Sequence, residues 1–346
     1  MLAKSVEDWQ QEVAANRGLI LRELQKYIPI ENLVIIPGPL WNFLLCGEGT
    51  TAKYCIKVLN EESIPVDWTI TELDYVGRAM SALKQADFAY VLPPIPLQDG
   101  AYAARLAGYV MIVYPWFPAF GAHHLQTSPS SYISAVTPVL HELHCKGRMV
   151  AEKIEQFNSP FSRKYTPSQW LNQADSLWTE CERIMQQLGA FPEVFSALQA
   201  GQKISAEIVS RFPEFFSPTP AEITIVHGDF RPENILIQND VVQLVYDFDF
   251  MRLGRAEEDI AYSALYCSGP AWFSGSRDWK ICGDFINSYQ ASAITKQQDL
   301  IDNSMLEAAL YWTLLKEISL SFDAEGVIGR YQLLTELTAN LNWILP

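Results

Sequence analysis

Two aspartates and an asparagine stand close together in an apolar stretch in the second half of the chain. Asp229 follows a His-Gly pair, Asn234 comes five positions later, and Asp247 ends the next strand-like run. A carboxylate can accept the proton of an attacking hydroxyl, and carboxylate and amide oxygens are the ligands that Mg²⁺ prefers. The pattern therefore predicts a proton acceptor beside a cation site, the combination that phosphoryl transfer to a hydroxyl requires.

The spacing of these residues is that of the catalytic segment in protein kinases. Apolar runs at Ile235 to Ile237 and Val241 to Tyr246, separated by an Asn-Asp turn, predict a β-hairpin. The hairpin would fold Asp247 back beside the loop that carries Asp229. A surface loop rich in turn formers explains any one of these residues, but not the whole set at this spacing.

The segment from Val226 to Ile237 resembles the aminoglycoside phosphotransferase and choline kinase family of small-molecule kinases. The signature of that family is His-Gly-Asp-[Leu/Phe/Tyr]-x-x-x-Asn, followed by Ile-Asp-[Phe/Trp]. The resemblance implies that Asp229 is the catalytic base and that Asn234 and Asp247 bind Mg²⁺. It also implies that His227 braces the catalytic loop.

A second family motif follows downstream. Asp259 lies in Asp-Ile-Ala, where the family has an aspartate that anchors the catalytic loop rather than reacting. Tyr246 replaces the usual aliphatic residue before the metal aspartate, a small departure. The resemblance covers most of the chain, roughly from Leu33 to Ala261.

The motifs of the first part of the chain are weaker. Lys57 lies on a predicted strand among apolar neighbours, and the resemblance implies that it contacts the α- and β-phosphates of ATP. Glu72, on the following predicted helix, is expected to hold that lysine as an ion pair. Gly38, in a turn between two strands, is expected to let the backbone approach the phosphates, although the chain lacks the G-x-G-x-x-G of protein kinases.

An apolar strand from Tyr109 to Tyr114 ends at a proline and predicts the hinge between two lobes. Its backbone is expected to bind adenine, with Tyr114 or Trp116 near the ring. The predicted division is a nucleotide-binding lobe at 1–114 and a catalytic, acceptor-binding lobe at 115–346.

Strand patterns dominate the first part of the chain and helical patterns the second. This order predicts an α+β protein. The expected architecture is a bilobal, protein-kinase-like fold, with an antiparallel sheet and one main helix in the first lobe. The second lobe is expected to be larger and mostly helical, with a small β-hairpin.

The charge and hydropathy of the chain limit the partners that it is expected to bind. The formal net charge is −15, which disfavours binding to nucleic acid or to an anionic membrane surface. No long apolar run follows Lys4, so we expect no signal peptide. The most apolar stretch, Gly108 to Phe120, is too short to span a bilayer and is broken by prolines. We therefore expect a cytoplasmic enzyme, of open oligomeric state.

The number of residues between Asp247 and Asp259 distinguishes a protein kinase from a small-molecule kinase. Protein kinases place a long activation segment here, but only twelve positions separate these residues. The acceptor is therefore expected to be small: an amino alcohol, an aminoglycoside, a homoserine-like compound or a sugar. The alternatives are a nucleotide-binding scaffold without turnover and an atypical protein serine/threonine kinase. Asp249 and aromatic residues such as Trp312 could meet an amine, although these aromatics also suit a helical core.

Overall fold

The computed structural model describes residues 6–36, 42–59, 69–97, 100–117, 129–155, 166–295 and 301–345. The chain divides into two compact units. The first comprises Met1–His124, Lys153–Ser162 and Leu244–Asp249, and the second Leu125–Glu152, Arg163–Gln243 and Phe250–Pro346. Within the described ranges, none of the helices has the length and apolar character needed to cross a membrane.

An antiparallel sheet of five strands forms the framework of the first unit. Its strands are β1 (Asn32–Ile36), β2 (Asn42–Glu48), β3 (Lys53–Leu59), β4 (Ala103–Leu106) and β5 (Tyr109–Pro115). Their order across the sheet is β1-β2-β3-β5-β4, so β3 is central. Side chains alternate between the faces of a strand, and both faces of β3 are buried over most of its length.

Helices of the first unit cover both faces of this sheet. They are α1 (Val6–Ala15), α2 (Arg17–Leu24) and α3 (Ile70–Gln85). Ile56 and Val58 of β3 pack in one core with buried residues of α1 and α2. Leu59 packs on the opposite face with Leu73 of α3. By alternation, Lys57 shares the face of Leu59, so a charged residue lies on a buried face.

The second unit is mostly helical. Its helices are α4 (Pro129–Glu155), α5 (Pro167–Gln187), α6 (Pro192–Arg211), α7 (Pro213–Phe216), α8 (Ala256–Cys267), α9 (Trp279–Thr295), α10 (Asn303–Ser319) and α11 (Ala324–Ile344). Helix α10 is buried along most of its length, as expected for a helix that is apolar on nearly all sides.

Short strands interrupt the helices where the catalytic motifs lie. They are β6 (Thr224–Val226), β7 (Ile235–Gln238), β8 (Val241–Val245) and β9 (Arg252–Gly254). Strands β6 and β9 pair antiparallel, and β7 and β8 form the predicted hairpin. The boundary between the two units falls inside β8. The predicted α+β class, with an antiparallel sheet followed by a mostly helical part, is confirmed.

Candidate active site

The carboxylate of Asp229, in the loop between β6 and β7, is held at both oxygens. Asn234 donates from Nδ2 to Oδ2 at 2.8 Å and to the backbone oxygen of Asp229 at 2.9 Å. The hydroxyl of Tyr262 donates to Oδ1 at 2.7 Å. Nε of Arg231 lies 3.1 Å from Oδ2. Asp229 is 7% exposed, so these contacts fix a nearly buried carboxylate in one orientation.

Asp259, on α8, anchors this loop from a distance in sequence. Its carboxylate accepts hydrogen bonds from the backbone N–H groups of His227, at 2.7 Å, and Gly228, at 2.8 Å. Nε2 of His144 lies 3.1 Å from the same carboxylate. Burial alone would raise the pKa of Asp259, but the hydrogen bond and charge of His144 outweigh it, and the pKa lies below its ordinary value.

His227 and Gly228 shape the backbone next to Asp229. Nδ1 of His227 accepts a hydrogen bond from the backbone N–H of Asp229 at 3.2 Å. Gly228 has φ +79°, and a Cβ there would collide with the carbonyl oxygen of Phe250. Glycine alone combines this conformation with this close approach.

Arg231, Tyr262 and Tyr266 were not predicted from the sequence. Arg231 donates from Nη1 to the hydroxyl of Tyr266 at 3.1 Å. Burial would lower the pKa of Arg231, but the charge of Asp229 raises it above its ordinary value. Burial, with the charge of Asp229, raises the pKa of Tyr262 well above its ordinary value. Tyr262 follows the loop anchor Asp259 by three residues on α8, and residues three apart are neighbours on one face of a helix.

Lys57 lies in a separate charged cluster, within the first unit. Its Nζ donates to Oδ1 of Asp247 at 2.7 Å and also pairs with Asp249. The Lys57 side chain is 10% exposed and that of Asp249 3%. Burial would lower the pKa of Lys57, but the two carboxylates raise it above its ordinary value. Burial raises the pKa of Asp249 to about 7, against the lowering by Lys57.

The predicted ion pair between Lys57 and Glu72 is wrong. Both residues are described, and Lys57 pairs with Asp247 and Asp249 instead. The carboxylate of Glu72 accepts from the backbone N–H of Thr69 at 2.9 Å, while the hydroxyl of Thr69 accepts from the N–H of Glu72. Glu72 is thus the third residue of α3 in a capping box, and its carboxylate caps its own helix. Likewise, Asp249, which the sequence suggested as a contact for an amine of the acceptor, pairs with Lys57.

The remaining predicted nucleotide residues are placed as follows. Tyr114 lies on β5 opposite Cys55, packs against the core that includes Leu59 and α3, and has a pKa raised mainly by burial. The N–H of Trp116 donates to the carbonyl of Lys53 at 3.1 Å. Gly38 lies outside the described residues.

A family model matches the part of the chain that carries Asp229 and its partners. Residues 151–279 match the model of the phosphotransferase enzyme family. The matched segment contains Asp229, Asp247 and Asp259. This match confirms the predicted resemblance and the predicted enzyme class, a phosphotransferase of the small-molecule kinase type.

Solved structures show that the fold is shared. A microcompartment-associated aminopropanol kinase gives a TM-score of 0.64 at 13% identity, over 93% of this chain and 98% of that one. An amicoumacin kinase, solved with AMP-PNP, Ca²⁺ and Ami, gives 0.61 at 14% identity, over 97% of both chains. A spectinomycin phosphotransferase, solved with ADP and spectinomycin, gives 0.52 at 16% identity, over 92% of this chain and 93% of that one. No curated protein sequence matches the chain with significance.

Proposed function

We propose that the protein transfers the γ-phosphate of ATP, with Mg²⁺, to a hydroxyl group of a small molecule. The observation that supports this most directly is the carboxylate of Asp229, held by Asn234, Tyr262 and Arg231. As the acceptor oxygen bonds to phosphorus and the bond to ADP breaks, Asp229 takes the proton of the hydroxyl. A fixed carboxylate contributes by position as well as by basicity.

Arg231 and Tyr262 serve the base in different ways. The guanidinium of Arg231 stabilises the ionised form of Asp229 by its charge. Tyr262 keeps its proton and donates a hydrogen bond to Oδ1 of Asp229, because the pKa of Tyr262 is raised well above its ordinary value. Together they hold the carboxylate of Asp229 in one orientation before the acceptor arrives.

The donor set fits Mg²⁺. Asn234 uses Nδ2 for its bonds to Asp229, which leaves Oδ1 as the atom that could coordinate a metal. Asp247 supplies a carboxylate, and both are hard oxygen donors. Among the described residues, no group of three or more His, Cys, Asp or Glu side chains is arranged to hold a metal. The ion would therefore take its other ligands from phosphates and water, and it would neutralise phosphate charge.

We assign nucleotide binding to the lobe at 1–114. Lys57, held on a buried face of β3, supplies the cation for the α- and β-phosphates. Tyr114, Trp116 and Gly38 remain the proposed adenine and phosphate contacts. ADP and AMP-PNP are bound in the solved structures of the spectinomycin phosphotransferase and the amicoumacin kinase, which supports this part of the proposal by analogy.

A small acceptor follows from the short segment between Asp247 and Asp259. A 3₁₀ turn at Phe248–Phe250, strand β9 and the start of α8 occupy it. A peptide substrate needs an ordered platform for extended backbone, and no chain length remains here to build one. An amino alcohol, aminoglycoside, homoserine-like compound or sugar needs only a pocket with a few polar groups.

A nucleotide-binding scaffold without turnover is the competing proposal. Such proteins have usually lost a catalytic position, whereas Lys57, Asp229, Asn234 and Asp247 are all present. The test is ATP consumption over a library of alcohols, with Asp229→Asn as the blank and casein as a protein acceptor. We expect Asp229-dependent turnover with a small alcohol and none with casein. Asp229-dependent labelling of casein alone, or Mg-ATP binding without turnover of any acceptor, would overturn the proposal.

A further inference from the structure

A lysine and a glutamate lie next to each other on α10, beside the tyrosine that contacts Asp229. Nζ of Lys316 is 5.7 Å from the centroid of the Tyr262 ring, and the hydroxyl of Tyr262 donates to Oδ1 of Asp229 at 2.7 Å. Burial first, and then the charges of Asp229 and Glu317, raise the pKa of Tyr262. Lys316 and Glu317 therefore surround the same tyrosine as the proposed base, and all four residues belong to the second unit.

These side chains have accessible surface. The side chain of Lys316 is 11% exposed and that of Glu317 is 21% exposed. The side chain of Asp229 is 10% exposed, and Tyr262 is partly exposed as well. Tyr266, which stacks on the ring of Tyr262, is buried instead. A small molecule can therefore contact Asp229, Tyr262 and the charged pair of α10 from solvent.

The charged pair has few partners within the part of the chain that the structure describes. Nζ of Lys316 lies 3.3 Å from Oε1 of Glu317, the adjacent residue. It also lies 5.2 Å from the centroid of the Trp312 ring. Aromatic rings stabilise a cation through their faces, but an ammonium has three N–H donors. Both charges can therefore bind a ligand in addition to, or in place of, each other.

The ammonium of Lys316 occupies the place that an amine of the acceptor could have taken. The sequence suggested Trp312 as a contact for such an amine, but the ring of Trp312 already has Lys316 beside it, as does that of Tyr262. A second cation there would be repelled by the first, since charges of like sign disfavour each other at short range. Purely cationic acceptors are thus disfavoured at this position.

The two adjacent charges complement a molecule that carries both signs. Lys316 offers its ammonium to a carboxylate, and Glu317 offers its carboxylate to an ammonium. Hydrogen bonds between such ionised groups are about twice as strong as neutral ones. A purely anionic compound would meet the charge of Glu317, whereas a zwitterion gains both contacts and leaves neither charge unbalanced.

The spacing suits a short acceptor. Nζ of Lys316 is separated from Oδ1 of Asp229 by no more than its contact with the Tyr262 ring, half of that side chain and one hydrogen bond. If each end of the acceptor is bound at about 2.8 Å, the remaining gap is at most about five covalent bonds of roughly 1.5 Å. In amino acids that resemble serine or homoserine, about four or five bonds join the hydroxyl oxygen to a carboxylate oxygen.

We infer that Lys316 and Glu317 bind the charged end of the acceptor, and that the acceptor is a small zwitterionic amino acid with a hydroxyl group on its side chain. This inference rests on the proposed function and selects the homoserine-like compounds among its acceptor classes. Lys316 and Glu317 determine specificity, because they contact the acceptor away from the reacting oxygen. Asp229 receives the hydroxyl, and the ring of Tyr262 lies along the atoms between the two ends.

Acceptor choice is tested with compounds that differ only in their charged groups. L-homoserine is compared with 3-aminopropanol, which lacks the carboxylate, and with 4-hydroxybutyrate, which lacks the amine. L-serine is compared with ethanolamine and 3-hydroxypropionate in the same way. In at least one series, the wild type should show at least tenfold higher kcat/KM for the amino acid than for either analogue.

Two substitutions separate the charges. Lys316→Met should raise KM for the amino acid at least tenfold and remove the preference over the amine, while KM for ATP stays within about twofold. Lys316→Arg should keep most of that preference, since it retains a cation. Glu317→Gln should remove the preference over the hydroxy acid, and it carries the test if the methionine variant fails to fold. Lys280→Met, at an exposed lysine of another pair, is the matched control and should behave as the wild type does.

Binding is also measured without nucleotide. Thermal unfolding of the wild type should shift to higher Tm as L-homoserine or L-serine is titrated, since a ligand of the folded state stabilises it. Lys316→Met should lose most of that shift, and Lys280→Met should retain it. No stabilisation of the wild type, or equal stabilisation of the wild type and Lys316→Met, overturns the inference whatever ATP does.

The outcomes distinguish the inference from the proposed function. Asp229-dependent turnover of only amines, sugars or hydroxy acids overturns the inference and leaves the proposed function standing. An increase in KM for ATP rather than for the acceptor in Lys316→Met also overturns it, because the lysine would then bind the nucleotide. A lack of Mg-ATP turnover with every compound, beside Lys316-dependent binding of the amino acid, counts instead against the proposed function.

Discussion

Asp229 and Lys57 are both nearly buried charged groups, but their surroundings differ. The partners of Asp229 include Asn234, five positions away, and Arg231, two positions away. The partners of Lys57 lie 190 and 192 positions away in the chain. The first environment is largely a property of one loop, and the second exists only when distant segments have folded together.

The two regions also use different interactions. Asp229 is surrounded by neutral donors and one arginine, so loss of any one donor leaves others in place. Lys57 has two carboxylates around one ammonium, and removal of a member leaves an unbalanced buried charge. We therefore expect substitutions at the base to affect chemistry, and substitutions in the lysine cluster to affect nucleotide binding.

The largest effect is expected for Asp229→Asn. Asparagine keeps the shape but accepts no proton, so kcat should fall by about 10²- to 10⁴-fold while ATP affinity stays nearly intact. Single-turnover kinetics and calorimetry measure the two quantities. Asp240→Asn, in the exposed turn of the β7–β8 hairpin, is the control and should leave both unchanged. A fall in kcat of less than about tenfold, ~1.4 kcal/mol of barrier, would show that Asp229 is not the base.

The second largest effect is expected for Asp247→Ala, and it should be on the binding of Mg-ATP. Loss of a proposed Mg²⁺ ligand, together with one partner of Lys57, should abolish the Mg²⁺-dependent part of ATP affinity. Calorimetry with Mg-ATP and with ATP in EDTA separates that part from the rest. If Mg-ATP binds the variant as tightly as the wild type, the metal role of Asp247 is excluded.

Asp259→Asn should lower stability, because Asp259 anchors the loop that carries Asp229. An amide offers one fewer acceptor to the N–H groups of His227 and Gly228, and we expect a loss of about 3 kcal/mol in the free energy of unfolding. The pKa of Asp259 is lowered on folding, so its contribution is present above the ordinary aspartate pKa and is lost as the pH falls through the lowered value. Urea unfolding should show the wild type and the variant converging in acid. Asp284→Asn, in an exposed pair, should not reproduce the effect; a pH-independent difference would argue against the ionised anchor.

The smallest effect is expected for Glu72→Gln, and it is compared with Lys57→Met. Glutamine preserves the capping box of α3, so KM for ATP should stay within about twofold, whereas the lysine variant should raise it at least tenfold. Steady-state kinetics at saturating acceptor distinguish the two. Equal damage from both substitutions would mean that Lys57 pairs with Glu72 during turnover, against the partners seen here.

The sequence predicted the catalytic loop better than its surroundings. Asp229, Asn234 and the following hairpin were readable because a few residues and a turn determine their spacing. Arg231 lay inside the same motif, but nothing in the pattern distinguished it from a surface residue. Tyr262 was missed because its contact with Asp229 depends on how α8 lies against the loop.

In the first unit, the sequence predicted the strand that carries Lys57 but not the partner of the lysine. Glu72 was the nearest carboxylate on the expected helix. It lies in the first turn of α3, however, where its carboxylate forms a capping box with Thr69, three residues earlier in the sequence. The N-capping pattern Thr69 to Glu72 was the signal that could have shown this. Only the folded unit brings Asp247 and Asp249 to the lysine.

The sequence by itself determined the α+β class, the phosphotransferase motif and the spacing of the base and its asparagine, because short-range periodicity and turn residues specify them. The tertiary structure alone decided which carboxylates face Lys57 and which donors hold Asp229. Those features depend on side chains far apart in the chain, and the low polarity of the interior gives their pairing its energetic weight.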